Sequence, residues 1–445
     1  MRVNYGQSVH GEEEIAAVIH VLRTSTQMGT KVRQMEARVA ALFNKTHGIM
    51  VNSGSSANYL AIELLRLPPG SEVITPALTF ATTVAPIVRH GLVPAFVDVR
   101  AGTYNIDEDL IESMITPRTR ALMIPSLIGN LPDWDRLREI ADWHNLTLIE
   151  DSADTLGAAL RGSSTGQRSH VSTTSFYGSH VVNAAGNGGM LCLNDETLVR
   201  RALLLRSWGR SSSLFVESEA IERRFDVSLG DISYDAKFLF EELGYNFEPS
   251  ELGAAFGLVQ LDKLEDNISR REHNFARHLS FFSEFENWFV LPQQLPQART
   301  GWLAFPLTLR PDAPFSRRDL MIWLERADIQ TRVVFTGNIL RQPAMADVTV
   351  KADPQGYPVA DAVTRGGLLL ACHHGLGGDQ IDHIHTTFRR FADRHGALSS
   401  RFTSTGRERT ANGKTAALPS MPRADAPSVS PDGPAPARKH VRTPR

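Results

Sequence analysis

Short apolar runs alternate with helical patterns in the first 150 residues, and this alternation constrains the fold more than any other feature. The apolar runs are short and lie at residues 72–74, 93–97, 121–124 and 146–149. Apolar residues at helical spacing separate them, at residues 81–89, 107–114 and 134–144. Strands spaced by helices are typical of βαβ units and predict an α/β fold with a mostly parallel sheet. Such sheets bind ligands at the carboxyl ends of their strands.

The pattern changes further along the chain and predicts three parts. Residues 1–257 would form a large domain, and an amphipathic helix predicted at residues 258–277 begins the second part. That part, residues 258–398, is predicted to be a smaller α+β domain, with strands at 303–309 and 330–334 and a helix at 379–394. The helix predicted at residues 12–22 is expected to pack with this smaller domain.

The last part, residues 399–445, is rich in Ser, Thr, Pro, Ala and Arg, and its basic residues outnumber its acidic ones. It has too little apolar surface to offset the entropy lost on ordering, so we predict a disordered basic tail. A solvated extension fits this composition, and so does weak contact with RNA or lipid headgroups.

Charge and cysteine content exclude several classes of protein. The 47 Lys and Arg residues nearly balance the 49 Asp and Glu residues, so apart from weak tail contacts no nucleic-acid binding is expected. Two cysteines, Cys192 and Cys372, cannot build a disulfide framework or an all-cysteine metal centre. No apolar run reaches the ~18 residues of a membrane span, and no apolar signal core opens the chain. A cytoplasmic protein without a metal or a membrane segment is predicted.

A Gly-Ser turn precedes a helix predicted at residues 56–65. Gly54 permits close approach of the backbone, and the start of a helix offers free N–H groups and the positive end of its dipole. Ser55 and Ser56 add hydroxyl donors. The turn suits a phosphate, although such turns also serve as simple helix caps.

Three further patterns carry reactive side chains. Asp151 follows an apolar strand and would either hold a ring nitrogen protonated or cap the next turn. His180 suits proton transfer near neutral pH, but it is one of 15 histidines and does not stand out by spacing. Arg332 and Arg341 flank a predicted loop, where they would clamp a phosphate or carboxylate or lie on the surface.

Taken in order, these segments resemble the DegT/StrS-type sugar aminotransferases, which are fold-type I pyridoxal-phosphate (PLP) enzymes. The resemblance runs from about residue 5 to residue 395. It implies a large domain with a mostly parallel sheet, a smaller α+β C-terminal domain, and a homodimer with shared active sites. It also implies the cofactor contacts, which are the phosphate with Gly54, Ser55, Ser56, Ser175 and the neighbouring subunit's Asn246, and the ring with Phe80 and Asp151.

Residue 180 departs from the usual family pattern, which has Lys at this position. Histidine cannot form the covalent link to PLP that the lysine amine forms. The exchange resembles a smaller branch, the 3-dehydratases of nucleotide-linked 4-keto-6-deoxy sugars, which bind pyridoxamine phosphate (PMP) non-covalently. Asp154, where aminotransferases usually carry Gln, fits this branch and is assigned to the cofactor. The run from Gln330 to Pro343 resembles the same branch, and its substrate-binding residues would be Arg332, Asn338 and Arg341.

The resemblance implies a lyase of deoxysugar biosynthesis, for lipopolysaccharide or antibiotic sugars. His180 would act as the base while Asp151 keeps the ring nitrogen protonated, and the C3 hydroxyl would leave. Ser211, Ser212 and Ser213 stand where iron–sulfur relatives carry cysteines, so no cluster is expected. Glutamate would then restore PMP by transamination.

Two other functions compete with the dehydratase. One is a nucleotide-sugar aminotransferase that tolerates His180, since imidazole can move protons. The other is a catalytically silent family member that acts as a partner subunit. The retained Asp151, Ser175 and Asn246 argue against the silent protein.

Overall fold

The computed structural model describes residues 1–216 and 219–396, so the predicted tail lies outside the described residues. Seven strands form the main sheet, and all neighbouring strands pair in parallel except around Gly189–Leu193, which is antiparallel to both its neighbours. This confirms the predicted α/β class with a mostly parallel sheet. From edge to edge the strands are His47–Val51, Gly189–Leu193, Val171–Ser175, Thr147–Asp151, Thr119–Pro125, Glu72–Pro76 and Val93–Val97.

Both faces of this sheet are buried. Ala121 and Met123 pack in one apolar cluster, whereas Leu122 and Ile124 pack in another. Because successive strand side chains point to opposite faces, each cluster covers one face, as is usual for parallel sheets. The helices of this part are Glu12–Thr24, Thr30–Leu42, Gly54–Leu64, Ala81–Arg89, Glu108–Ile111, Trp134–Trp143, Glu196–Arg206, Ile221–Arg224 and Glu251–Asp262.

A second, four-stranded antiparallel sheet lies later in the chain. Its strands, in spatial order, are Phe289–Val290, Ala304–Leu309, Gly367–Ala371 and Arg332–Val333. The helices that accompany it are Leu264–Phe282, Arg317–Arg326, Pro358–Gly366 and Gly378–Arg394. An aromatic core with Phe282, Phe305 and Phe388 fills this α+β region. Two small ribbons complete the strands, namely Ala159–Leu160 with Ser163–Ser164 and Ala298–Arg299, and Val227–Leu229 with Ile232–Tyr234.

The prediction of a single helix at residues 258–277 is wrong, because two helices meet within this range. Glu251–Asp262 ends and Leu264–Phe282 begins on either side of Lys263, whose φ of -97° and ψ of 0° leave the helical region. The Lys263 ammonium binds Glu13 at 2.6 Å and Glu14 at 2.7 Å, on the helix Glu12–Thr24. Neither Gly nor Pro marks this break, so helical spacing alone continues through it. The domain boundary predicted at residue 258 stays a prediction.

Within residues 1–216 and 219–396, no helix combines the length and the apolar character that crossing a bilayer requires. The same residues hold no cluster of three or more His, Cys, Asp or Glu side chains arranged to bind a metal ion. Cys192 and Cys372 are both buried as free thiols.

Candidate active site

A cavity of about 400 Å³ opens at the carboxyl ends of the central strands. It lies where the α/β rule places a ligand, in the loops that lead from strands into helices. Seven of the sequence-predicted site residues line it together, and these are Gly54, Ser55, Phe80, Asp151, Asp154, Ser175 and His180.

One end of the cavity is built by a helix start against a strand end. Gly54 begins the helix Gly54–Leu64, and the hydroxyl of the N-cap Ser53 accepts the Ser56 backbone N–H at 3.1 Å. A β-carbon on Gly54 would lie 2.6 Å from the Ser175 β-carbon, so only glycine permits this approach. Ser56 does not line the cavity, because its hydroxyl donates to Asn52 at 2.6 Å. The remaining N–H groups and the helix dipole favour an anion here.

Asp151 lies on the cavity wall as a buried carboxylate. Its Oδ2 accepts hydrogen bonds from Asn58 Nδ2 at 2.8 Å and Thr83 Oγ1 at 2.9 Å, and Oδ1 accepts the Ala153 N–H at 3.2 Å. Burial raises the pKa of Asp151 in spite of these donors. No Lys, Arg or His of the described residues forms an ion pair with it. A carboxylate in this position would be stabilised by a cation that enters the cavity.

His180 presents one defined ring nitrogen to the cavity. Its Nδ1 lies 3.0 Å from the Ser175 carbonyl, and because a carbonyl can only accept, Nδ1 carries the proton. In the neutral ring Nε2 therefore holds a free lone pair. Burial lowers the pKa of His180 to about 4, so the imidazole is neutral near pH 7.

Asp154 faces that free nitrogen. Its Oδ1 lies 3.5 Å from His180 Nε2, and its Oδ2 accepts the Ile128 N–H at 3.0 Å. Burial, reinforced by the charge of Asp151, raises the pKa of Asp154 to about 7. The cavity thus holds two carboxyl groups three residues apart in the sequence. Asp151 accepts three hydrogen bonds, whereas Asp154 accepts one.

The structure does not bring Asn246, Asn338 or Arg341 to the cavity. The exposed Asn246 lies beside the helix start, where its carbonyl accepts a bond from Asn52 Nδ2 at 3.3 Å. Asn338 and Arg341 both bind Asp361, the amide at 2.8 Å and the guanidinium as an ion pair.

Arg332 borders the cavity without lining it. Its guanidinium lies 5.4 Å from the ring centroid of Tyr5, which does line the cavity. Its NH1 donates to the Thr331 carbonyl at 2.8 Å.

Sequence reasoning missed five aromatic or leucine residues that line the cavity. One of them, Leu127, lies just past the end of the strand Thr119–Pro125. Tyr177 and Phe335 lie within motifs that it singled out, and Phe335 meets Phe80 edge to face with ring centroids 5.8 Å apart. Their nearness to His180 and Arg332 in the sequence was the available signal. Tyr5 and Leu303 come from distant segments, and no local pattern marks either one.

Among the described residues that line the cavity, none is a lysine. Lys237, the first lysine after residue 180, forms an ion pair with Glu219 and lines a different cavity. A covalent anchor for an aldehyde cofactor is therefore missing from this wall of the site.

These features define a class of protein, and comparison with known proteins names it. Residues 8–389 match the profile of the DegT/DnrJ/EryC1/StrS aminotransferase family, and the chain belongs to this family. The fold is accordingly that of the fold-type I PLP enzymes, as the sequence predicted.

Within the family, the similar proteins include 3-dehydratases. The chain is 36% identical over 405 residues to a dTDP-4-dehydro-2,6-dideoxy-D-glucose 3-dehydratase of Saccharopolyspora spinosa, covering 87% of this chain and 85% of that protein. It superposes with a TM-score of 0.77 on the E. coli GDP-4-keto-6-deoxy-D-mannose-3-dehydratase with bound hydrated PLP, at 27% identity, covering 87% of this chain and 100% of that one. A crystal structure of GDP-4-keto-6-deoxymannose-3-dehydratase with a trapped PLP-glutamate geminal diamine gives 0.78, with the same identity and coverage.

Proposed function

We propose that this chain is a PMP/PLP-dependent dehydratase that removes the C3 hydroxyl of a nucleotide-linked 4-keto-6-deoxy sugar. One observation carries the proposal: the cavity presents the neutral imidazole of His180 and, among its described lining residues, no lysine. An imidazole can accept a proton but cannot hold the cofactor covalently, which favours elimination over ordinary transamination. The names of the similar proteins support the same activity.

The residues present fit the cofactor. Gly54, Ser55 and Ser175 would hold its phosphate at the helix start, and Phe80 would stack on its ring. Asp151 would pair with the protonated ring nitrogen, which supplies the cation that this buried carboxylate lacks. Ser56 supports the turn through its bond to Asn52. When bound, the cofactor supplies an electron sink, and the protein supplies orientation and proton transfer.

His180 is the base of the proposed reaction. Nδ1 is fixed on the Ser175 carbonyl, so Nε2 is held toward the cavity with its lone pair available. The lowered pKa keeps the ring unprotonated at neutral pH, which is the state that a base requires. Glutamate is the proposed amino donor that returns PLP to PMP, as the PLP-glutamate adduct trapped in a similar protein suggests.

The substrate would enter past Phe80, Phe335 and Tyr5, with Arg332 beside this entrance. We assign the negative charge of the nucleotide to Arg332, because its guanidinium forms no ion pair with a described carboxylate. Asn338 and Arg341 would take part only after releasing Asp361.

A homodimer completes the proposal. Among the described residues, eight of the 17 exposed large apolar side chains fall between residues 221 and 243, which we call the 221–243 segment. Soluble monomers rarely expose so much apolar surface in one stretch, so a second copy is the proposed cover. Asn246 lies three residues after this segment, and a partner packed here would receive it near its own cofactor phosphate.

A single-turnover assay tests the function. The protein loaded with PMP and given a panel of 4-keto-6-deoxy nucleotide sugars, without any reductase, should release a 3-deoxy product. A strict requirement for an added electron donor would refute the glutamate cycle. Borohydride treatment after loading with PLP separates the aminotransferase alternative, because fixation of PLP on a lysine would favour it. Failure to bind PMP would favour the silent partner subunit.

A further inference from the structure

Removal of a hydroxyl group needs an acid as well as a base. We propose that Asp154 donates the proton to the departing C3 hydroxyl, so that Asp154 and His180 work as one acid–base couple. This inference rests on the proposed function and gives Asp154 a role in proton transfer beyond the cofactor contact that the resemblance implies.

The geometry sets one atom of each side chain facing the other. His180 Nδ1 is committed to the Ser175 carbonyl, so only Nε2 faces Asp154, at 3.5 Å from Oδ1. Asp154 Oδ2 is committed to the Ile128 N–H at 3.0 Å, so only Oδ1 is left to carry a proton. Both residues line the same cavity. The donor atom and the acceptor atom thus lie side by side and both reach the substrate space.

The surroundings let Asp154 hold a proton in a substantial fraction of molecules near neutral pH. Burial and then the charge of Asp151 raise the pKa of Asp154 to about 7, while the Ile128 N–H and the buried Arg271 of helix Leu264–Phe282 lower it. Arg271 does not bind Asp154, because its hydrogen bonds go to the Ser179, Trp302 and Leu303 carbonyls and to His374. Tyr5, from the N-terminal segment, is the remaining titratable neighbour, and burial keeps its phenol neutral.

The proton count closes without an outside acid. His180 takes a proton from the methylene carbon of PMP. The electron pair of that C–H bond replaces the pair that leaves with the C3 oxygen. The Asp154 proton joins the departing hydroxide, and water is released. The couple begins as neutral imidazole and neutral carboxyl and ends as imidazolium and carboxylate, so its net charge stays zero. A buried site favours this balance because an unpaired charge there is costly.

The variant Asp154→Asn tests the acid role. Asparagine still accepts the Ile128 N–H but has no acidic proton. We expect product formation in a single turnover to fall by about 10²- to 10⁴-fold, the range of general acid–base catalysis, with little change in KM. Loss of deuterium from the labelled PMP methylene in the presence of substrate should continue, because it needs only His180. Equal loss of both signals, or wild-type rates for both, would overturn the inference.

A second readout uses the cofactor-free protein. Nitrogen-15 spectra of the histidines, with His180→Asn to identify the signal, should show a step in the Nε2 shift of His180 near pH 7. Asp154→Asn should lack that step, and Asp154→Glu should retain it. Identical titration of His180 in the wild type and in Asp154→Asn would contradict the proposed coupling of the two side chains.

Asp98→Asn is the matched control. Asp98 is also a buried acid with a raised pKa, but it binds the Val359 and Ala360 N–H groups and does not line the cavity. Its variant should keep wild-type kinetics. If the proposed function itself is wrong, the wild type will make no 3-deoxy product while the pH 7 step in the spectra persists, which separates the two failures.

Discussion

The cavity wall and the 221–243 segment differ in the burial and the polarity of their side chains. On the wall, Asp151 is buried, Asp154 and His180 are nearly so, and each is bonded to groups of the same chain. In the segment, side chains such as Phe238 and Leu243 are apolar and exposed. One chain therefore fixes the positions of its acid and base by itself, whereas the 221–243 segment would be covered by the second copy that we propose. Reaction chemistry and assembly can thus be disturbed separately.

The largest expected effect lies on the wall. His180→Asn removes the imidazole that we propose as the base, so we expect turnover to fall by about 10⁴-fold, the upper range for such a group. PMP binding and the oligomeric state should not change. Binding is measured by equilibrium dialysis and assembly by sedimentation. A variant that loses PMP as well would show that His180 holds the site together and does not act on protons alone.

A smaller effect concerns the free energy of unfolding. Burial raises the pKa of Asp154 from the ordinary value to about 7, so the ionised carboxylate destabilises the folded protein above pH 7. This cost disappears as the pH falls from about 7 to about 4, where the folded state holds a proton that the unfolded state has lost. Asp154→Asn should therefore be more stable than the cofactor-free wild type at pH 8, by up to about 4 kcal/mol.

Denaturant unfolding at pH 8 and pH 5 measures that difference, which should shrink at the lower pH. A difference in stability that does not depend on pH would mean that the substitution acts through packing and not through ionisation.

The next effect lies in the exposed segment. Phe238→Asp places a charge on the proposed interface and should raise the dimer dissociation constant by about 10- to 100-fold, the cost of losing one buried aromatic side chain. Trp143→Asp is the control, because Trp143 is also exposed and apolar but lies outside the segment. Sedimentation equilibrium measures both variants. If Phe238→Asp behaves like Trp143→Asp, the apolar segment is not the contact surface.

The smallest effect distinguishes two arginines at the entrance. Arg332→Ala should raise the KM for the nucleotide sugar about tenfold, which is the loss of one charge-assisted contact. Arg341→Ala should change KM by less than about twofold, because Asp361 already occupies its guanidinium. Initial-rate kinetics measure KM for the two variants. A larger rise in KM for Arg341→Ala than for Arg332→Ala would show that Arg341 contacts the substrate.

Local sequence predicted the wall better than the entrance. Strand ends and helix starts carry Gly54, Asp151 and Ser175, and the α/β fold brings such ends to one edge, so motif order was enough to place them together. The 3.5 Å approach of His180 to Asp154 needed the three-dimensional structure, since 25 residues, including the strand Val171–Ser175, separate them in the sequence. Tyr5 and Leu303 reach the cavity from remote segments by tertiary packing, which no local pattern encodes.

The break at Lys263 was missed for a related reason. Its two flanking helices keep apolar spacing across the junction, while the ion pairs with Glu13 and Glu14 come from a helix some 250 residues earlier. The antiparallel strand Gly189–Leu193 was not foreseen either, because its pairing is decided by its two neighbours in the sheet.

A cavity wall without lysine has a consequence for how the proposed enzyme keeps its coenzyme. With no covalent tether, the fraction of the protein that holds the coenzyme depends on the concentration of free coenzyme. Coenzyme that is released can diffuse into the surrounding solution. Dilution or gel filtration should strip the vitamin B6 derivative, and the working fraction of the protein in a cell would then follow the supply of that vitamin.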